Sequence, residues 1–471
     1  MQSYALSLQP MSPNAIQQYQ NIFFIGVAGT GMSAIAQYLQ GIGKSVRGSD
    51  RYFKEGEPNE TRSKLEAAGI QCFPQDGSGL NNTIDLVVTS TAVEATVPEV
   101  QLAQQLNIPI LRRAEVLAMI AASKKTIAVG GTSGKSTTSA MIFDILTEAK
   151  LDPSIISGAG LTSIIQEGKI GNAHVGQGEW LIIEADESDG SIVHYHPEIG
   201  LLLNIDKDHQ ELEELMKIFG SFRDHSIRFI TNAGQPLARS LSTHPDHDFS
   251  IDPNTKAAYK ATDFSQTGFE IQFRVEGQLF SLATVGQHNM ENALAAIAVT
   301  HSMGVHLHIA AKALKKYEGI YRRHQVLGHF EGVWLIDDYA HNPAKCAASI
   351  RACQPVAPKV VAWFQPHGYG PTRFLRNDFV KEIAAALRPE DEIWMSEIFY
   401  AGGTAVKNIS AADLINDLKA LEVNAYFVED RNEWIESVQS HLQAPCVLLL
   451  MGARDPGLES FALKVKAALQ Q

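Results

Sequence analysis

Gly130-Gly131-Thr132-Ser133-Gly134-Lys135-Ser136-Thr137 sets a lysine and several hydroxyls directly behind closely spaced glycines. That combination suits a phosphate. Glycines let free backbone N–H groups converge on an anion, a lysine adds charge for the terminal phosphates, and the Ser136 hydroxyl suits Mg²⁺. The standard pattern G-x-x-x-x-G-K would put a glycine at Val129, whereas here the first glycine, Gly130, comes one residue late. The alternative is a glycine turn with an incidental lysine. Against it stand the apolar strand Thr126–Val129 before the run and the helical pattern Ser139–Leu146 after it, which make a strand, loop and helix start. The stretch predicts ATP or GTP binding.

Four further clusters could carry chemistry, each at the end of an apolar strand. Glu184-Ala185-Asp186-Glu187-Ser188-Asp189 puts carboxylates where a phosphate-loop domain needs a Mg²⁺ ligand, although an acidic solvent loop would read the same way. Asn204-Ile205-Asp206-Lys207-Asp208-His209 offers His209 as a second metal ligand oriented by Asp208, though an isolated Asp-His pair is more often structural. Asp337-Asp338-Tyr339-Ala340-His341-Asn342-Pro343, with Arg322-Arg323 upstream, and Phe364-Gln365-Pro366-His367-Gly368-Tyr369-Gly370-Pro371-Thr372-Arg373 are the other two. Ligands in open α/β sheets gather at strand C-termini, so these loops are expected to line one cleft. Near the start, Gly26, Gly29 and Gly31 follow a buried strand and Asp50 closes the next one. The spacing is G-x-x-G-x-G rather than G-x-G-x-x-G, which points to a phosphate-containing ligand on a helix N-terminus more than to NAD. A purely structural turn is the alternative.

The elements that must hold these groups read as three α/β segments. The first carries strands at Asn21–Ile25, before Asp50, at Asp85–Thr89 and at Ile108–Leu111, which predicts a doubly wound parallel sheet. The second carries the loop strand, Trp180–Glu184 and Ile199–Asn204, then helices near Asn289–Met303 and Ile309–Lys316. The third carries strands at Val333–Asp337, Val360–Phe364 and Cys446–Leu450. The predicted domains span 18–120, 121–324 and 325–471, each a parallel-sheet α/β fold, with the first and third Rossmann-like.

Composition narrows the function classes. The 471 residues are 45% hydrophobic and 19% charged, as in globular proteins with sizeable cores. A net charge of −13 argues against general nucleic-acid or membrane-surface binding. No signal-peptide pattern or membrane-length apolar run is apparent, and Cys72, Cys346, Cys353 and Cys446 show no zinc spacing. A reduced cytoplasmic setting and a monomer or weak dimer are the expectations.

Taken in order, these motifs resemble the Mur ligases of peptidoglycan precursor synthesis, from about Asn21 to the C-terminus. Arg112-Arg113-Ala114-Glu115 and Gly286-Gln287-His288-Asn289-Met290-Glu291-Asn292 add to the ordered set. The resemblance implies an N-terminal domain for UDP-N-acetylmuramate, a central domain for ATP and Mg²⁺, and a C-terminal domain for an amino acid or peptide amine. It implies amide formation through an acyl phosphate. Gly29, Gly31, Asp50 and Ser90 would then contact the UDP-sugar. The nucleotide would be held by Gly131, Thr132, Ser133, Gly134, Lys135, Ser136 and Thr137, with Asn289, Asn292, Arg323 and Asp338. Ser136, Glu187 and His209 would be the metal ligands. Lys135, Glu187, His209 and His341 would carry catalysis, and Tyr339, His341, His367 and Arg373 would receive the amino substrate.

Several departures bear on that substrate. Ser133 and Ser136 replace the His and Thr of the alanine-adding branch, and Ser136 keeps the metal-binding hydroxyl. Gly368 and Pro371 stand where that branch has arginines associated with the amino acid's carboxylate, so Arg373 is the expected substitute. Asn342 replaces a common His. No lysine matches the carbamylated lysine of the other branches, which agrees with L-alanine as the amino substrate. The rivals are a ligase attaching a recycled L-Ala-γ-D-Glu-diaminopimelate peptide, a non-catalytic nucleotide-binding scaffold, and an NAD-dependent oxidoreductase.

Overall fold

The computed structural model describes residues 12, 14–187, 191–206, 212–400 and 406–470. The chain divides into two compact units. One comprises the chain up to Phe264 with Gln272–Ala283 and Gln287–Ile320; the other comprises Ser265–Ile271, Thr284–Gly286 and the chain from Tyr321.

The first unit holds two parallel-type sheets. β1 (Asn21–Ile25), β2 (Ser45–Asp50), β3 (Gln71–Pro74), β4 (Leu86–Thr89) and β5 (Ile110–Arg112) are all parallel in the order β3-β2-β1-β4-β5. The order reverses at β1, so the crevice past β1 and β4 is the switch point where such sheets take ligands. The next six strands are β6 (Lys125–Gly130), β7 (Ser154–Ile156), β8 (Ala173–His174), β9 (Trp180–Ala185), β10 (Ile199–Leu202) and β11 (Arg228–Thr231), ordered β11-β10-β6-β9-β7-β8. Here only β8 runs antiparallel. Strands covered on both faces must be apolar throughout, which is why Ile127, Ala128, Val129, Leu181, Ile182 and Ile183 are all fully buried.

One hydrophobic core serves both sheets. Ile22 and Phe24 belong to the same cluster as Ile183, Phe219 and Phe222. A polar pin crosses between them: Asn172, which is buried, donates through Nδ2 to the Thr30 carbonyl at 2.7 Å and the Ser33 hydroxyl at 2.9 Å. Gln37 donates back to Asn172 Oδ1 at 2.8 Å. A four-stranded sheet of β12 (Phe249–Ser250), β13 (Tyr259–Thr267), β14 (Glu270–Val275) and β15 (Gln278–Leu282) was not anticipated from the sequence.

The second unit is built on β16 (Gln325–Phe330), β17 (Val333–Asp338), β18 (Lys359–Gln365), β19 (Glu392–Met395), β20 (Ala425–Phe427) and β21 (Cys446–Gly452), in the order β16-β17-β21-β18-β19-β20. β16 is an antiparallel edge strand and the other five are parallel. The long apolar strand β21, buried at every position, sits between β17 and β18 and brings their C-terminal ends into line. All four cysteines are free and buried. Among the described residues, no helix is long and apolar enough to cross a membrane.

Candidate active site

The glycine run between β6 and the helix Lys135–Glu148 forms a backbone cradle. Gly134 caps that helix with φ 85°, a left-handed conformation, and Gly131 has φ 139°. A Cβ on Gly134 would collide with Asn292 Oδ1 and approach Leu203 to 3.2 Å; one on Gly131 would meet Leu203 at 3.1 Å. Both conformation and space therefore demand glycine. The four first N–H groups of the helix are left to face a ligand, at its positive end.

Side chains fix the rest of the loop. Lys135 Nζ donates to the Gly131 carbonyl at 2.6 Å and pairs with Glu187 Oε2 at 2.7 Å, with the lysine side chain 15% and the glutamate side chain 8% exposed. The ammonium is thus folded back over its own loop. Ser136 Oγ donates to Glu184 Oε2 at 2.9 Å. Glu184 Oε1 also accepts from Ser157 Oγ and the Gly158 amide, each at 2.7 Å. Asn204 holds the loop's other side: its Oδ1 accepts from Thr132 Oγ1 and the Ser133 amide at 2.9 Å, while its Nδ2 donates to the Ser133 carbonyl at 3.1 Å. Asn292 accepts from Thr138 at 3.4 Å and lies 3.4 Å from Asn289 Oδ1, so both asparagines stand beside the cradle.

One pairing was not foreseen from the sequence. The carboxylate bonded to Ser136 is Glu184, whereas Glu187 holds the lysine. Strand register explains this, since β9 pairs with β6 so that Glu184 lies opposite Val129, at the foot of the loop. His209 and Asp208 lie outside the described residues, as do Ser188 and Asp189. The oxygens of Ser136, Glu184 and Glu187 are hard donors of the kind Mg²⁺ takes. Among the described residues no three His, Cys, Asp or Glu side chains gather to hold a metal ion unaided. An ion here would need phosphate oxygens and water to complete its shell.

A second concavity, of about 460 Å³, opens at the switch point of the first sheet and is lined by Gly26, Gly29, Asp50, Arg51, Tyr52, Gln75 and Ser90, among others. Asp50 is buried and accepts from the Ala28 amide at 3.0 Å and the Tyr52 amide at 3.1 Å, which clamps the glycine turn against the end of β2. Gly31 lies in the first turn of the helix Thr30–Gly41, and a Cβ there would meet the Arg113 guanidinium at 3.1 Å. Arg113, the second residue of the Arg112-Arg113-Ala114-Glu115 motif, therefore adds charge beside that helix start. Arg51 also lines the cleft and is stacked on Tyr52 at 4.8 Å. Neither was legible as a site residue, because each depends on a fold-level approach.

In the second unit, Arg322 is buried and forks onto Asp337, with Nε to Oδ2 at 2.8 Å and Nη2 to Oδ1 at 3.3 Å. It also donates to the Gly452 carbonyl at 2.9 Å. Its backbone carbonyl accepts from the Tyr339 amide at 2.7 Å, and its guanidinium lies 5.4 Å from the Tyr339 ring centre. Asp338 is buried and serves the loop itself: it accepts from the Ala340 amide at 2.8 Å and Ser349 Oγ at 3.1 Å, and pairs with His324 at 3.0 Å. Arg323 is exposed.

Tyr339, His341 and His367 come together. The Tyr339 and His341 rings meet edge-on at 5.6 Å, and the His341 and His367 centroids are 5.7 Å apart. His341 Nδ1 lies 2.8 Å from the Tyr339 carbonyl, which can only accept, so Nδ1 carries the proton and Nε2 is left as an acceptor. Burial, aided by nearby Lys345, Arg323 and Arg454, holds the His341 pKa below its ordinary value despite that bond. Burial, then the neighbouring His341 and Arg454, pulls His367 down to about 4. Its Nδ1 is buried without a hydrogen-bond partner among the described residues. Arg373, expected to join this group, is instead exposed on the short helix Tyr369–Phe374 and donates to Asn408 at 2.7 Å.

Comparison with known proteins shows the family. Residues 21–125 match the Mur ligase family catalytic domain, 129–300 the Mur ligase middle domain and 322–454 the Mur ligase glutamate ligase domain. A UDP-N-acetylmuramate–L-alanine ligase of Acaryochloris marina is 34% identical over 466 residues, covering 92% of this chain and 93% of its own. The enzyme of the same name from Carboxydothermus hydrogenoformans is 33% identical, covering 95% and 96%. Among solved structures, a UDP-N-acetylmuramate–alanine ligase of Thermotoga maritima matches at 27% identity with a TM-score of 0.78 over 95% of this chain and 98% of its own. A murein peptide ligase of Psychrobacter arcticus shares the fold, with a TM-score of 0.66 at 20% identity over 96% and 98%. Three α/β domains, the phosphate cradle and near-complete coverage agree: the chain belongs to the Mur ligase family.

Proposed function

We propose that this chain is an ATP-dependent, ADP-forming amide ligase that joins L-alanine to UDP-N-acetylmuramate in peptidoglycan precursor synthesis. The observation that carries the reading is the cradle of Gly131, Gly134, Lys135 and Ser136, set in a chain whose relatives of that name align over more than nine-tenths of both lengths. The cleft at Asp50 and Ser90 is the proposed UDP-sugar site. Segments 18–120, 121–324 and 325–471 would bind sugar nucleotide, ATP and amine in turn. Four free, buried thiols support a reducing, cytoplasmic setting.

The residues perform the chemistry as follows. Lys135 swings from Glu187 to the terminal phosphates and offsets the charge gathering on the transferred phosphoryl group. Mg²⁺, held through Ser136, Glu184 or Glu187, would supply further charge neutralisation. The muramate carboxylate takes the phosphoryl group and ADP departs. The amine nitrogen then attacks the carbonyl carbon, the C–O bond to phosphate breaks, and the nitrogen gives up a proton. His341 suits that last step, because its Nε2 is an acceptor and its lowered pKa keeps the ring neutral near pH 7. Asn289 and Asn292 stand beside the cradle, where an adenine or ribose would lie.

A second reading has one observation in its favour. Gly368 and Pro371 leave no arginine at the two positions linked to a small amino acid's carboxylate, which would suit a larger peptide amine. Phosphate release measured with UDP-N-acetylmuramate, ATP and either L-alanine or L-Ala-γ-D-Glu-diaminopimelate separates the two. Turnover with L-alanine is expected; turnover with the tripeptide alone would overturn the alanine assignment.

A further inference from the structure

We infer that Arg454 is the cation that receives the carboxylate of the incoming amino acid, standing in for the arginines absent at Gly368 and Pro371. The inference rests on the ligase reading and adds to it a residue that decides the amino substrate.

Strand register places Arg454 there. In the second unit Asp338 pairs with Met451, and Gln365 pairs with Gly452. Three adjacent strands therefore end level. Tyr339 to His341 follow β17, Pro366 and His367 follow β18, and Ala453 and Arg454 follow β21 between them. Ligands of parallel sheets collect at such strand ends. The loop is held on both sides of Arg454. Gly452 is bonded through its carbonyl to Arg322, and Asp455 is paired with Arg431, which also donates to Gln365 at 2.8 Å. Across the gap, Gly368 N–H and Phe399 O at 2.8 Å, with Phe399 N–H and Pro366 O at 2.8 Å, fix the His367 loop.

The guanidinium itself is uncommitted. Arg322 is taken by Asp337, Arg431 by Asp455, Arg373 by Asn408 and Arg376 by Asp417. Arg454 is exposed and has no hydrogen-bond or ion-pair partner among the described residues. Its charge contributes, after burial and nearer groups, to the lowered pKa of both His341 and His367, in keeping with the placement that strand register gives it. Its backbone has φ 64°, a conformation that favours glycine. A strained non-glycine residue at a ligand-bearing strand end is a pattern that function sustains. An α-amino acid would then place its carboxylate on Arg454 and its nitrogen toward the His341 acceptor. A guanidinium fork fits that carboxylate with two hydrogen bonds.

Arg454→Gly is the direct test, since glycine suits φ 64° and the fold should be undisturbed. The expected result is a KM for L-alanine raised about 10- to 100-fold, with kcat and the KM for ATP changed less than about threefold. Arg454→Lys should recover part of the loss. The preference of the wild-type protein for L-alanine over L-alaninamide should collapse in Arg454→Gly. An unchanged L-alanine KM and preference in that variant would overturn the inference, as would finding the KM effect in Arg373→Ala instead. Absence of phosphate release by the wild-type protein with either amine would instead overturn the ligase reading.

Discussion

Replacing Lys135 by methionine separates chemistry from folding. The ammonium sits 2.6 Å from the Gly131 carbonyl and 2.7 Å from Glu187, whose side chain is only 8% exposed. Removing it has two consequences of different kind. Loss of a charge aimed at the developing phosphoryl charge raises the barrier by roughly 3–4 kcal/mol, or about 10²–10³ in kcat. Loss of the pair takes the Lys135 charge away from a largely buried Glu187, which costs about 2–4 kcal/mol of stability. The double variant Lys135→Met/Glu187→Gln removes the buried negative charge as well, so most of the lost stability should return. Turnover should not return, because no residue restores the cation. Phosphate release and thermal unfolding on the wild type, both single variants and the double variant complete the cycle. Turnover within threefold of wild type in Lys135→Met, or recovery of turnover in the double variant, would refute the role given to Lys135.

Three further outcomes follow from neighbouring geometry. Gly134→Ala forces a left-handed conformation on alanine and pushes its Cβ into Asn292, so stability should fall by about 1–2 kcal/mol and ATP affinity should drop more than tenfold, read by calorimetry. Glu184→Gln sets an amide against three donors, from Ser136, Ser157 and Gly158; the Mg²⁺ concentration for half-maximal rate should rise several-fold, and an unchanged Mg²⁺ titration would argue against Glu184 as the residue orienting Ser136. Burial, with Glu318 nearby, raises the Asp144 pKa to about 7. A carboxyl raised in the folded state favours folding at low pH, and that advantage fades as pH rises from about 4 through 7. Asp144→Asn should therefore gain up to about 2 kcal/mol relative to wild type at pH 8 and little at pH 4, measured by denaturant unfolding at both.

Much of this architecture is legible in the amino-acid sequence. The apolar runs at Phe23–Ile25, Ile127–Val129, Leu181–Ile183 and Leu448–Leu450 announce strands buried on both faces, and each lies in a parallel sheet. The glycine cradle was legible because its constraint is local: positive φ and close approach are properties of a few consecutive residues. The sheet of β12–β15 was missed although Ile271, Phe273 and Val275 alternate with Glu270, Gln272 and Arg274, the pattern of a half-buried strand. The division of labour between Glu184 and Glu187 was not legible. It depends on which carboxylate reaches Ser136 across β6 and β9, a matter of register rather than composition. The same holds for Arg454. Sequence proximity to the Phe364–His367 element favoured Arg373, whereas register across three strands brings the distant Arg454 level with His341 and His367.

Oxygen tracing tests the central claim most directly. UDP-N-acetylmuramate labelled with ¹⁸O in both carboxyl oxygens is incubated with ATP, Mg²⁺ and L-alanine, and the released phosphate is analysed by mass spectrometry. Phosphoryl transfer to the carboxylate followed by attack of the amine predicts one ¹⁸O in each phosphate and one in the amide, with ADP formed in equal amount. Unlabelled phosphate accompanying amide formation, or no amide at all, would contradict the account.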